Sequence, residues 1–201
     1  MNEIAEGIFH WTAVHEPINT TVSSYFIAPA GVVLDPKIPP DGWDALPAEP
    51  QQILLTSGHH LRDAPAFAQR FGIPIRGSQE AAEHIGDEAT IDTFAAGEEV
   101  APGIIALHIG VLCPDEGALQ IAAGGGALAI ADGVTPRDGG LGFFSDSLLG
   151  DDPEAIKRGL KQAYAQVLDR PFRHLLFAHG EPVLDTGRAD LEAFVSGAAG
   201  E

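Results

Sequence analysis

Cysteine is almost missing from this chain. Cys113 is the only one among 201 residues, so no intramolecular disulfide and no cluster of thiolate metal ligands can form. Basic residues are scarce as well. Eleven Lys plus Arg stand against 29 Asp plus Glu, a formal net charge of −18, and such a field repels phosphate backbones and anionic membrane surfaces. The sequence therefore predicts no nucleic-acid partner and no membrane partner. No uncharged apolar run approaches the roughly 18 residues that a membrane span requires. Residues 1–6 are acidic and lack the basic start and apolar core of a secretory signal, which makes the cytoplasm the expected location. Phosphate-cradling motifs are missing too: the glycine clusters include no Gly-Lys-Ser/Thr and no strand-GxGxxG-helix context. Ser57 has no nucleophile-elbow surroundings, so no Ser-His-Asp hydrolase is indicated.

What is present is an ordinary globular balance, 45% hydrophobic and 20% charged, and a length suited to one α/β domain over residues 1–201. The first third reads as short strands at 7–11, 22–28 and 31–35, separated by proline-containing turns. Strand and helix then alternate: a strand at 52–56, a helix at 64–71 stopped by Gly72, and a strand at 73–76. Short strands return at 104–107, 118–121 and 127–130, with Gly124-Gly125-Gly126 as the hairpin between the last two. Asp152-Pro153-Glu154 is a helix start, with a capping acid, a proline at the first position and a second acid in the first turn. A strand at 174–177 and a helix at about 186–195 close the chain. Strands followed by strand-helix units, given twice, predict an αββα four-layer sandwich of two mixed β-sheets flanked by helices. Its strand-end loops converge on one edge, where a ligand site belongs.

The residues at those strand ends carry the chemistry. The run Thr56-Ser57-Gly58-His59-His60-Leu61-Arg62-Asp63 follows an apolar strand. Leu34-Asp35-Pro36, Ala131-Asp132-Gly133 and Ala178-His179-Gly180-Glu181-Pro182 are further strand ends bearing acids or histidines. In order and spacing these stretches resemble the metallo-β-lactamase-fold hydrolases, whose signature loop reads Thr-His-x-His-x-Asp-His, and the resemblance runs over nearly the whole chain. It is a divergent likeness. Thr56 matches and His59 falls on the second histidine, but Ser57, Leu61 and Arg62 stand where three other ligands belong. Val111 or a neighbour takes the place of the mid-chain histidine, while Asp132 matches the bridging aspartate and His179 the C-terminal histidine.

The resemblance implies a divalent metal, zinc or another, held by His59, Asp132 and His179, and hydrolysis of an ester, thioester, lactone or amide carbonyl in which Asp132 orients the nucleophile. A metal-independent enzyme with Arg62 as electrostatic stabiliser and His179 as base is a further reading of the same positions. The surviving donors complete neither of the family's two metal positions, because a stable zinc site takes four donors, or three plus water. One divalent ion or none is therefore left open, leaning to none, with His60, Asp63 or His108 as added ligands if an ion binds. Arg62 suggests the other outcome. A guanidinium can replace a cation by pairing with Asp132, which gives a non-catalytic small-molecule-binding or interaction protein on the same scaffold. An Arg62 that simply points to solvent at a helix start stays open as well. His60, Phe143 and Phe144 are expected to line the substrate pocket, the two phenylalanines on a glycine-rich loop whose apolar tip also permits a homodimer contact.

Overall fold

A computed structural model describes residues 1–197. Seven strands form the first sheet in sequence order: β1 (Asn2–Ala5), β2 (Ile8–His15), β3 (Thr20–Ile27), β4 (Val32–Leu34), β5 (Gln52–Leu54), β6 (Ile75–Ser78) and β7 (Ile91–Phe94). The first four strands pair antiparallel, and the pairs from β4 to β7 are parallel. The parallel strands need helical connections, and these are α1 (Ala64–Phe71) and α2 (Gln79–Ile85). Gly72 ends α1 in the left-handed conformation, φ 66°, as the sequence predicts. The second sheet contains β8 (Glu99–Ala101), β9 (Ile104–His108), β10 (Gly117–Ile121), β11 (Ala127–Ile130) and, after the ribbon β12 (Thr135–Arg137) and β13 (Gly140–Gly142), β14 (His174–Phe177). Its order is β14-β11-β10-β9-β8, with only β11 and β14 parallel. Two helices belong to this half: α3 (Pro153–Val167), capped by Asp152 Oδ1 accepting from Ala155 N at 2.9 Å, and α4 (Gly187–Ser196).

Alternation along buried strands sorts the layers. Val32 and Leu34 face the other sheet while Val33 packs toward α1. In β11 the small Ala127 and Ala129 lie between the sheets, and the larger Leu128 and Ile130 lie under α3 and α4. Three apolar layers follow: one between the sheets around Tyr25, Leu54 and Leu176, one under α1 with Phe67, and one under α3 and α4 with Tyr164 and Phe194. This is the predicted αββα sandwich of two mixed sheets. The helix α2 was not read from the sequence, although Ser78 caps it by accepting from Ala81 N at 3.0 Å. Among the described residues no helix is long and apolar enough to cross a membrane.

Polar ties clamp the two sheets together at one edge. Tyr25 Oη in β3 donates to Phe177 O at 2.8 Å and accepts from Phe177 N at 3.0 Å at the end of β14. Ser23 N donates to Ala178 O at 2.9 Å, and Gly117 N to Thr56 O at 2.8 Å. The chain ends that follow β4, β5, β11 and β14 are thereby held beside one another, so Asp35, Thr56, Asp132 and His179 share one edge. Replacing Tyr25 with Phe strips a buried carbonyl and a buried N–H of their partner. It is expected to cost about 1–3 kcal/mol, read as a lower urea midpoint with an unchanged slope.

Candidate active site

The site is built from Asp35 outward. Asp35 follows β4 directly with a left-handed backbone, φ 44°, and is 3% exposed. Its carboxylate accepts from Thr56 N at 2.9 Å, from Thr56 Oγ1 at 2.6 Å and from His60 Nδ1 at 3.1 Å. Because the Thr56 hydroxyl proton is used on Asp35, the network assigns the His60 proton to Nδ1. His60 Nε2 then points to Asp132 Oδ2 at 3.3 Å, too poorly aligned for a hydrogen bond, and among the described residues it has no other partner. His179 Nε2 approaches the other carboxylate oxygen, Asp132 Oδ1, at 3.4 Å, and that oxygen is also without a partner. One donor atom each from His60, Asp132 and His179 lie within 4.8 Å of one another. Gly133 follows Asp132 because a Cβ there would collide with Glu116 and Leu160.

The electrostatics follow from this geometry. Burial works to lower the pKa of His60, but the Asp132 and Asp35 carboxylates on its two sides outweigh it and raise the ring to about 9. Burial tends to raise Asp132, yet the charges of His60 and Arg62, joined by His179 once that ring is protonated in acid, hold it well below the usual carboxylate range. His179 moves the other way. Burial, helped by the His60 and Arg62 charges and opposed by Asp132, lowers it to about 4, so this ring is neutral near physiological pH. Glu116 has its Oε2 on Leu112 N at 3.0 Å, and burial raises its pKa to about 7.

Several residues singled out in the sequence take places other than those expected. His59 does not join Asp132 and His179. Gly58, His59 and His60 form one turn of 3-10 helix, in which neighbours project about 120° apart, so His60 turns inward and His59 outward. His60 therefore contributes the imidazole expected of His59. Arg62 makes no hydrogen bond to Asp132. Its backbone is left-handed, φ 41°, and its guanidinium donates to three carbonyls, Ser23 O and Asp35 O at 2.8 Å each and Ala178 O at 3.4 Å. Arg62 thus faces inward rather than to solvent, as a clamp across both sheets, and the imidazole of His60 is the group that meets Asp132. Asp63 is taken up by Lys37 Nζ at 3.1 Å and Ile38 N at 2.8 Å, and His108 is an exposed strand-end residue, so neither supplements the site. Phe143 packs on Phe194 of α4, with ring centroids 4.9 Å apart, as part of the layer beneath that helix. Phe144 does reach the site edge-on to His179 at 5.7 Å. The orienting role of Asp35 went unread, though an acid directly between the apolar run Val32-Val33-Leu34 and Pro36 was the signal for it.

No protein-family model and no curated protein matches the chain. Solved structures do. The DIM-1 metallo-β-lactamase superposes with a TM-score of 0.71 at 14% identity, covering 98% of this chain and 97% of that one. A metallo-β-lactamase from Erythrobacter litoralis, with β-mercaptoethanol in its active site, gives 0.71 at 14% identity over 97% of this chain and 93% of that one. A Cronobacter sakazakii metallo-β-lactamase, a mutant of its HARLDQ motif, gives 0.68 at 16% identity over 98% and 92%. The chain has the metallo-β-lactamase fold, in a divergent sequence.

The His60 pKa sets a pH dependence for metal-free protein. A histidine whose pKa rises from 6.5 unfolded to about 9 folded contributes stability that is complete below the unfolded value and lost as pH climbs through the folded one. Thermal unfolding in chelator is expected to show a Tm that declines from about pH 6.5 to about pH 9, and His60→Gln is expected to flatten that limb. A wild-type curve already flat over this interval would remove the imidazolium from the account.

Proposed function

We propose that this protein is a hydrolase of a small ester-, thioester-, lactone- or amide-type substrate, and that its site takes one divalent ion on His60, Asp132 and His179. The observation that carries this reading is the pair of buried, unpartnered atoms His60 Nε2 and Asp132 Oδ1, beside a second imidazole, His179. With the proton on Nδ1, a neutral His60 directs a lone pair at a carboxylate. That arrangement calls for a cation between them, either a proton or a metal. Two imidazoles and one carboxylate suit zinc and its neighbours, and three protein donors leave a position for water. Bound there, such an ion supplies Lewis acidity to a carbonyl oxygen and acidifies a water.

The chain's own groups do the rest. Asp35 fixes the tautomer and angle of His60, as carboxylates behind ligating histidines do. Asp132, held ionised, orients the attacking water. Arg62 acts as a positioning residue, fixing the Asp35 and Ala178 carbonyls and with them the approach of His60 to His179. Phe144 gives the substrate an apolar wall next to His179. The left-handed backbones at Asp35 and Arg62 concentrate strain at this one edge, a pattern expected where a fold is shaped for function.

A second reading is favoured by the charge balance: protonated His60 and Arg62 match Asp35 and Asp132 without any ion. On that reading the scaffold binds a small molecule without turnover. Protein purified without a histidine tag, stripped and then loaded with Zn²⁺, Mn²⁺ or Fe²⁺, separates the two in assays on p-nitrophenyl esters, thioesters and lactones. Metal-dependent turnover is expected, with kcat/KM falling about 100-fold or more in Asp132→Asn and in His179→Ala. Turnover insensitive to metal and to both substitutions would overturn the assignment of metal-dependent hydrolysis to this site, and ligand binding without turnover would favour the second.

A further inference from the structure

A second convergence of donors lies outside this site and shares no residue with it. His59 stands on the outward side of the 3-10 turn after β5, His84 in the last turn of α2, and Asp115 in the loop between β9 and β10. One donor atom from each lies within 4.8 Å of the other two. The His59 and His84 rings meet edge-on with centroids 4.1 Å apart, and His84 Nδ1 is 3.7 Å from Asp115 Oδ2.

The carboxylate is prepared rather than loose. Asp115 is 4% exposed and its Oδ2 accepts from Gly58 N at 2.6 Å and from Ser57 Oγ at 3.0 Å. Its orientation is therefore set by the turn that also carries His59. Gly58 is needed for the approach: a Cβ there would stand 3.0 Å from Asp115 Oδ2 and 3.0 Å from His84 Cβ. Both histidine rings are open to solvent while the carboxylate is covered, so an ion can reach the group from outside and keep water on its free side. Donors around a tetrahedral zinc sit about 3.3–3.5 Å apart, given bonds of about 2.0–2.1 Å. The closure needed from the present separations is within the reach of two exposed rings.

We infer that His59, His84 and Asp115 form a second divalent-cation site, of zinc-like preference, that ties the turn bearing His60 to α2 and to the β9–β10 loop. Two imidazole nitrogens with one carboxylate select Zn²⁺, Co²⁺ or Ni²⁺ over Mg²⁺ and Ca²⁺, which take oxygen ligands. The inference goes beyond the proposed hydrolase and does not depend on it. An ion here pins the Ser57 to His60 turn from its outer side and so holds the inner imidazole against Asp132.

The test is Co²⁺ and Zn²⁺ titration of tag-free, metal-stripped protein, followed by calorimetry and by the visible absorption of Co²⁺. Wild type is expected to bind two equivalents. His84→Ala, which removes a partly exposed ring, is expected to lose one of them or to weaken it at least about tenfold while keeping its circular dichroism. His84→Gln should behave alike, and His179→Ala should lose the other equivalent. If the inner site takes no metal, wild type binds one equivalent that His84→Ala abolishes and His179→Ala keeps. Equal stoichiometry and affinity in wild type, His84→Ala and His84→Gln would overturn the inference.

Discussion

A single imidazole held between two carboxylates organises this molecule. His60 is tied through Nδ1 to Asp35 and presented through Nε2 to Asp132. A buried charge is costly without a partner, so each member of this line requires the others. The strand ends that carry them must stay in register to a fraction of an ångström. The two sheets meet where they do because Tyr25, Ser23 and Arg62 link the middle of β3 to the end of β14, which brings His179 within reach of Asp132.

Arg62 illustrates how a buried cation can be absorbed by the scaffold. A guanidinium offers five N–H donors and no acceptor, and here it bridges carbonyls from three chain segments, of which Asp35 O also accepts from Ser24 Oγ and Ala178 O from Ser23 N. Its charge also lies close enough to help hold Asp132 ionised. The arginine thus contributes positive potential to the site while its hydrogen bonds are spent on the scaffold, and direct contact with Asp132 falls to His60.

Much of this was legible in the residues. Proline and glycine punctuation placed α1 and its stop at Gly72, and Asp152-Pro153 placed the start of α3. The strand ends at Asp132 and His179 were named from their context and do come together. Other features were hidden for physical reasons. Which of two adjacent histidines faces inward depends on the 3-10 geometry of a three-residue turn, and sequence spacing alone treats such neighbours as equivalent. Arg62 found its partners among backbone carbonyls, which are present at every position and so leave no mark in a sequence. Asp115 and His84 lie far from the signature loop along the chain, and only the packing of α2 against that loop brings them to His59. Phe143 was expected in the pocket but belongs to the layer under α4, since an apolar loop residue next to an amphipathic helix gains more from that burial than from lining a wet site.

The competition between a proton and a metal ion for His60 Nε2 is the centre of this account, and ¹⁵N NMR of the imidazole rings reads it directly. In metal-free protein at about pH 8 both His60 nitrogens are expected to carry protons. On addition of zinc the ring is expected to become neutral, keeping its proton on Nδ1 and showing the shift of a liganded Nε2. A His60 ring that is neutral in metal-free protein at that pH and unmoved by zinc would contradict the account.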